Sequence, residues 1–99
     1  MSAEAMFGTV MIGRSSTPVE QVRSLVSDWS TEIGSAAGFV DERALVTDDG
    51  RVVMCVRFVD RASYEALADD PAQAAWWEAN LKPLLDGDPE WIDGHWHDI

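Results

Sequence analysis

The stretch FVDERALVTDDGRVVMCVRFV, residues 39 to 59, decides the fold. Two runs of apolar and β-branched residues flank Asp49-Gly50, and such a pair between strand-like runs is a strong hairpin signal because both residues tolerate positive φ. Both alternating sets of the second run are apolar: Val52, Met54, Val56 and Phe58 on one side, Val53, Cys55 and Val59 on the other. The stretch therefore predicts two antiparallel strands, the second of them covered on both faces.

The segment before the hairpin predicts a strand followed by a helix. FGTVMIGR, residues 7 to 14, is short and apolar on both alternations, as is typical of a central, buried strand. Thr17 as N-cap, Pro18 at the first helical position and Glu20 completing a capping box predict the start of a helix. Its end is expected near residues 34 to 38. One face of this helix is apolar: Val19, Val22, Leu25, Val26, Trp29 and Ile33.

The segment after the hairpin predicts two further helical pieces and a last strand. Asp60 can cap a short helix, and Asp70, with Gln73 three residues later, repeats the capping pattern. Pro83 lacks an N–H and clashes with the preceding turn, so the second of these helices should kink or tighten near its end. EWIDGHWHDI, residues 90 to 99, then predicts the fourth strand.

This element order predicts the fold class and a partner. Strand, helix, strand, strand, helix, strand is the α+β ferredoxin-like arrangement, a four-stranded antiparallel sheet with helices on one face, here as one domain over residues 1–99. The other sheet face is also apolar and would exceed the patch that soluble monomers usually expose. We therefore expect a homodimer through the open sheet face.

The charge balance limits the classes of partner. Eighteen acids against seven bases give a formal net charge of -11, which repels phosphate backbones and anionic lipid. Neither a nucleic-acid nor a membrane partner is expected. A single cysteine, Cys55, and an N-terminal MSAEAMFGTV without a signal-peptide pattern predict a cytoplasmic protein.

The chain resembles the dimeric α/β-barrel superfamily, in the branch that includes the antibiotic-biosynthesis monooxygenase domains. The resemblance covers the chain from Phe7 to its end and lies in the element order and in VRFVDRASYEAL, DDPAQAAWW and DPEWIDG. It implies two ferredoxin-like subunits packed sheet to sheet. The superfamily hosts oxygenases, haem-binding enzymes, isomerases and domains without known activity, so the fold alone does not fix the function.

Residue comparison argues against one branch of that superfamily. Its haem-degrading members carry an asparagine on the first strand, a tryptophan associated with the third and an axial histidine on the second long helix. Here FGTVMIGR has no asparagine, RVVMCVRFV has no tryptophan, and no histidine lies between Asp60 and Asp88. The resemblance instead implies a cofactor-free oxygenase, whose polyphenolic substrates supply electrons to dioxygen, and we expect no cofactor.

The last strand holds candidate catalytic and metal-binding residues. Alternation places Trp91, Asp93, His95 and His97 on one face. The Cα atoms of His95 and His97 would lie about 7 Å apart, so the two histidines form a candidate pair of metal ligands. A third ligand would need a bulge in the strand or a partner chain. A structural role for the pair is favoured, and no metal is predicted. His95 is also a candidate general base that Asp93 could orient, against the alternative of an exposed histidine at the barrel rim.

Two adjacent tryptophans and one strand arginine are the other candidates. Trp76 and Trp77 diverge by about 100° on a helix, and the apolar stripe that includes Trp77 assigns it to the core, which leaves Trp76 for a pocket mouth or a subunit contact. Arg57 shares a face with apolar residues and needs an anionic partner, which could be a ligand carboxylate or phenolate, an acid-rich dimer contact, or a neighbouring acid, Asp41 or Glu42.

The leading hypothesis is a cofactor-independent monooxygenase-like enzyme that acts on an aromatic or polyketide-like small molecule. Its predicted site, an apolar pocket between sheet and helices, joins His95 and Arg57 as catalytic groups with Trp76, Trp96 and Asp93 as ligand-binding groups. The alternative is a non-catalytic dimeric domain that binds a small ligand or serves an accessory role, in which the same aromatics are core and interface.

Overall fold

The computed structural model describes residues 6–97 and 99. Its elements, in chain order, are β1 Phe7–Arg14, α1 Val19–Ile33, β2 Phe39–Val46, β3 Arg51–Phe58, α2 Arg61–Ala68, α3 Pro71–Trp76, a π-helical turn Trp77–Leu81, a 3₁₀ turn Lys82–Leu84 and β4 Glu90–His95. The four strands form one antiparallel sheet in the order β2-β3-β1-β4. This arrangement confirms the ferredoxin-like prediction and makes β1 a central strand.

The predicted hairpin joins β2 and β3 through residues 47–50. Thr47 and Arg51 close it with a backbone hydrogen bond of 2.9 Å, and Gly50 has φ of +89°. Both residues of the Asp-Gly pair were expected to tolerate positive φ, yet Asp49 does not use it, since the positive φ values among the described residues are all at glycines. The Gly50 carbonyl accepts from the Ser15 amide at 2.8 Å, which ties the turn to the end of β1.

One face of the sheet packs under the helices and forms the core. The even-numbered residues of β3, from Val52 to Phe58, are at most 2% exposed, whereas Val53, Cys55 and Arg57 on the other face are half-buried, so a single chain covers β3 on one face and not on both as predicted. Val22, Val26, Trp29 and Ile33 of α1 are buried against them. At about 25 cal/mol per Å² of buried apolar surface, this face is the main source of stability.

The start of α1 differs from the prediction. The helix begins at Val19 with Pro18 at the cap position, and no side chain caps it. The Ser15 hydroxyl accepts from the Thr17 amide at 3.1 Å and donates to the Leu84 carbonyl at 2.6 Å. The capping box predicted for Thr17 and Glu20 is therefore wrong, because a tertiary contact fixes the backbone before the helix starts.

The caps of α2 and α3 follow the prediction in part. Asp60 accepts from the Ser63 amide at 2.8 Å, and Asp70 accepts from the Ala72 amide at 2.9 Å. Gln73 does not complete a capping box, since its Oε1 accepts from the Trp29 indole at 3.2 Å. Before Pro83 the helix first widens into the π-helical turn and then tightens into the 3₁₀ turn, so the predicted tightening occurs with an added wide turn.

The other sheet face has no helix over it. Leu45 is 62% exposed and Ile92 49% exposed, and all six residues of β4 are exposed. The apolar residues of β4 are thus not part of the buried core within one chain, because β4 is an edge strand. No helix in residues 6–97 is long and apolar enough to cross a membrane.

Candidate functional site

A partly open space, here called the aromatic cavity, lies between the helix-covered sheet face and the helices. Its volume is about 250 Å³. Most of the side chains around it are apolar or aromatic, with a few polar groups among them. Its lining consists of Thr9, Trp29, Val56, Phe58, Tyr64, Leu67, Ala68, Gln73, Ala74, Trp77, Glu78 and Trp91. Such a lining is typical of a binding site for a small apolar ligand.

Three tryptophans from three elements form a continuous aromatic wall. The ring of Trp77 lies 6.4 Å from that of Trp29 on α1 and 5.2 Å from that of Trp91 on β4, centroid to centroid. Trp29 is 3% exposed, and its indole N–H donates to Gln73, which fixes its orientation. Trp77 opens the π-helical turn, a rare geometry that is frequent at functional sites.

Tyr64 is a polar member of the cavity lining, and its hydroxyl reaches Asp93, which lies behind it and outside the lining. The Tyr64 hydroxyl donates to Asp93 Oδ1 at 3.1 Å, and the neighbouring Thr9 hydroxyl donates to the Ile92 carbonyl at 3.3 Å. Burial raises the pKa of the Tyr64 phenol above its usual value, a hydrogen bond with Thr9 opposes this, and the charge of Asp93 adds to the rise. Tyr64 is therefore a protonated phenol at neutral pH, aligned toward a carboxylate.

An outer groove adjoins the aromatic cavity and shares Tyr64 and Ala68 with it. The imidazole of His95 lies edge-on to the Phe7 ring at 5.0 Å, and the Arg61 guanidinium lies 5.4 Å from the same ring. Asp93 and His95 both line this groove, but Asp93 bonds to Tyr64 and no hydrogen bond to His95 is found among the described residues. The Asp93 carboxylate therefore pairs with Tyr64 in this structure, His95 is an exposed side chain beside the cavity, and its orientation by Asp93 stays a prediction.

Arg57 and Trp96 lie on the opposite side of the sheet. Arg57 pairs with Asp41 through two contacts. Its Nε donates to Asp41 Oδ1 at 2.7 Å, and its Nη2 donates to Asp41 Oδ2. The Arg57 guanidinium lowers the pKa of Asp41. The Trp96 indole lies against Gly8 and donates to the Val56 carbonyl at 3.2 Å. Neither side chain lines the aromatic cavity.

Trp76 lies apart from the other predicted residues. It packs against the core cluster and lines a separate surface cavity with Glu32 and Ile33 at the end of α1. The pocket between sheet and helices that was expected to gather Trp76, Arg57, His95 and Trp96 thus contains none of them. Their catalytic or ligand-binding roles remain predictions.

The histidine pair is divided by the end of the last strand. β4 ends at His95, His97 is exposed beyond it, and Asp98 lies outside the described residues. Within residues 6–97 and 99, no group of three or more His, Cys, Asp or Glu side chains is arranged to hold a metal ion.

Sequence reasoning missed four lining residues of the aromatic cavity: Trp29, Tyr64, Trp77 and Trp91. Trp29 and Trp77 were assigned to the core, which they also contact. One usable signal was parity, since Trp91 and Asp93 share a strand face. The other was the short stripe of Tyr64 and Leu67, which faces the sheet from α2.

No protein-family model matches the chain, and no curated protein sequence matches it. Solved structures do match. SnoaB, a cofactor-independent oxygenase from Streptomyces nogalater, aligns over 97% of both chains with a TM-score of 0.82 at 13% identity. The ActVA-Orf6 monooxygenase of Streptomyces coelicolor, in complex with nanaomycin D, aligns over 96% of this chain and 90% of that one, with a TM-score of 0.77 at 22% identity.

A protein from Nitrosomonas europaea, described as a presumed antibiotic biosynthesis monooxygenase, aligns over 96% of this chain and 94% of its own, with a TM-score of 0.76 at 12% identity. At such identities the likeness establishes the fold. Together with the strand order, it shows that the chain has the ferredoxin-like fold that these structures share.

Proposed function

We propose that this protein is a cofactor-independent monooxygenase-like enzyme that acts on an aromatic or polyketide-like small molecule. The observation that carries the proposal is the aromatic cavity with the Tyr64–Asp93 pair at its wall. Aromatic side chains favour flat apolar ligands, and a few converging polar groups orient them. A cavity of about 250 Å³ favours a ligand of one or two rings, because drug-sized ligands occupy roughly 300–1,000 Å³.

The polar wall supports proton removal from a phenolic ligand. The Tyr64 hydroxyl donates a hydrogen bond to Asp93. The Tyr64 oxygen can therefore accept a proton from a ligand hydroxyl while the hydroxyl proton of Tyr64 moves to the Asp93 carboxylate. Asp93 lines the outer groove, which opens to solvent, so the proton has an exit. Loss of this proton leaves an electron-rich phenolate, and the proton neutralises Asp93, so the total charge around the cavity does not change.

The electrons for the proposed reaction come from the substrate. At a ring methylene activated by the phenolate, one atom of dioxygen becomes a carbonyl oxygen, and the other leaves as water with the two methylene hydrogens. The carbon loses four electrons and dioxygen gains four, so no external reductant is needed. The oxygenases SnoaB and ActVA-Orf6 share the fold and support this reaction class.

Oxygen uptake with a panel of phenolic substrates that carry such a methylene, in buffer with chelator and no added flavin, tests the proposal. We expect substrate-dependent uptake that falls at least tenfold in Tyr64→Phe and in Asp93→Asn, since general acid–base groups contribute about 10²–10⁴-fold. His95→Ala and Arg57→Ala test the two residues predicted from the sequence. Ligand binding without any uptake would refute the enzyme and favour a non-catalytic binding domain.

We also propose that a second copy of this chain covers the open sheet face. That face carries apolar side chains, among them Leu45 and Ile92, together with charges of both signs, Arg57 beside Asp41, so two copies related by a two-fold axis are complementary to each other. Light scattering should give the mass of two chains, and Leu45→Asp should reduce it to one. Val19→Asp, at an exposed apolar position on α1, is the control. A monomeric wild type would refute this proposal.

A further inference from the structure

The lining of the aromatic cavity has an uneven charge. Of the residues that form it, one is charged at neutral pH, the carboxylate Glu78, and none is a lysine, arginine or histidine. A second carboxylate, Asp93, lies directly behind the Tyr64 hydroxyl. The Glu78 side chain is 62% exposed and pairs with Lys82, so its charge acts from the solvent-exposed side of the cavity and is partly offset by that cation.

Three cations of the surrounding elements are each paired with an acid. Arg57 is bound by Asp41 on the opposite sheet face. Arg61 pairs with Glu65 at 2.8 Å beside the outer groove. Lys82, the cation nearest along the chain, holds Glu78 itself at 3.3 Å. None of these cations lines the aromatic cavity to replace the water that an anionic ligand would lose on entry.

We propose that the aromatic cavity discriminates by charge, and that Glu78 is the residue that makes it accept an uncharged aromatic ligand and reject the same ring system bearing a carboxylate. The inference rests on the proposed function, because it takes the cavity to be the ligand site. A carboxylate inside would lose hydration without gaining a cationic partner and would be repelled by Glu78. The formal net charge of -11 adds a weaker repulsion at longer range.

Neutral polar groups on a ligand still find partners. The Oε1 of Gln73 accepts from Trp29, which leaves the amide nitrogen as the donor that a ligand carbonyl would meet. The Tyr64 oxygen can accept from a ligand hydroxyl. A bicyclic phenol with a ketone, quinone or ester carbonyl therefore satisfies both polar groups without bringing in a negative charge.

The test is a matched pair of probes, a hydroxynaphthoic acid and its methyl ester, with dissociation constants measured by quenching of tryptophan fluorescence. We expect the ester to bind about tenfold more tightly than the acid, as follows from a like-charge pair at partial solvent exposure. In Glu78→Gln this ratio should fall to about threefold. Higher ionic strength should lower the ratio in the wild type as well, since salt screens exposed charges.

Glu20→Gln provides the matched control. Glu20 also pairs with a cation on its own helix, Arg23 at 3.7 Å, and its removal changes the net charge by the same amount, but it does not line the cavity. This control should leave the ratio unchanged. Equal binding of ester and acid by the wild type, or equal effects of the two substitutions, would overturn the inference while the proposed function stands. Binding of neither probe would overturn both.

Discussion

The buried carboxyl of Glu42 leads us to predict that the free energy of unfolding falls as the pH rises. It lies opposite Val56 in the register of β2 and β3, so its side chain enters the helix-covered face under α1. Its Oε2 atom is buried with no hydrogen-bond partner among the described residues. Burial raises the pKa of Glu42 to about 7, against an ordinary value of 4.5, and a hydrogen bond from Ser30 opposes the rise only in part.

The direction of this change in the free energy of unfolding follows from the protons that the folded and the unfolded chain bind. Between about pH 4.5 and about pH 7 the folded chain keeps a proton on Glu42 that the unfolded chain has lost. The free energy of unfolding therefore falls with rising pH over this interval. The difference between the pKa of Glu42 in the folded chain and its ordinary value, at about 1.4 kcal/mol for each pKa unit, sets an upper bound of about 3 kcal/mol on this loss of stability. Partial exposure of the carboxyl reduces the expected loss to about 1–2 kcal/mol.

Urea denaturation of the wild type and of Glu42→Gln at about pH 5 and about pH 8 measures this loss. The neutral amide avoids the cost of a buried charge, so the variant should gain about 1–2 kcal/mol relative to the wild type between the two pH values. Glu32→Gln, an exposed substitution on α1 with the same change in net charge, should follow the wild type. Parallel stability profiles of wild type and Glu42→Gln would refute the assignment of a buried, high-pKa carboxyl.

Two further predictions concern the backbone that positions the site. A Cβ added at Gly8 would lie 1.8 Å from the Val56 carbonyl oxygen, so Gly8→Ala should lower the free energy of unfolding by about 1–3 kcal/mol. Gly94 lies directly opposite in the register and has open space around it, so Gly94→Ala should change the free energy of unfolding little. Urea denaturation that gives similar losses for the two variants would contradict the packing described. Asp70→Ala removes the cap of α3 and should lower the free energy of unfolding by about 1 kcal/mol, whereas Asp70→Asn should retain most of the stability that the cap contributes. Thermal denaturation can test both variants.

Local signals in the sequence were sufficient for the fold and insufficient for the site. The hairpin and the two-sided character of β3 follow from nearest neighbours and from the two-residue period, which tertiary structure does not alter. The pair of Tyr64 and Asp93 joins residues 29 positions apart, and only the register of β1 and β4 brings them together. A rare π-helical turn sets the direction of Trp77, and capping and proline rules do not predict it.

The partner of Arg57 shows the same limit on a smaller scale. Asp41 and Glu42 were both possible partners by proximity in sequence. A bulge between Phe39 and Asp41 shifts the register of β2, so Asp41 lies opposite Arg57 on the open face while Glu42 faces the helices. The bulge thus determines which acid forms an ion pair and which is buried without a cation.

Trp96 connects the two faces of the sheet. A shift of β4 by one residue would exchange Trp91 and Asp93 for residues that now face the open side, and would remove Trp91 from the aromatic cavity and Asp93 from Tyr64. The Trp96 amide donates to the Met6 carbonyl at 2.7 Å, and its indole reaches the Val56 carbonyl across Gly8, where any larger side chain would block it. These two bonds hold the register just beyond the end of β4. A tryptophan on the open face therefore positions the cavity on the other face, and it does so without touching a ligand there.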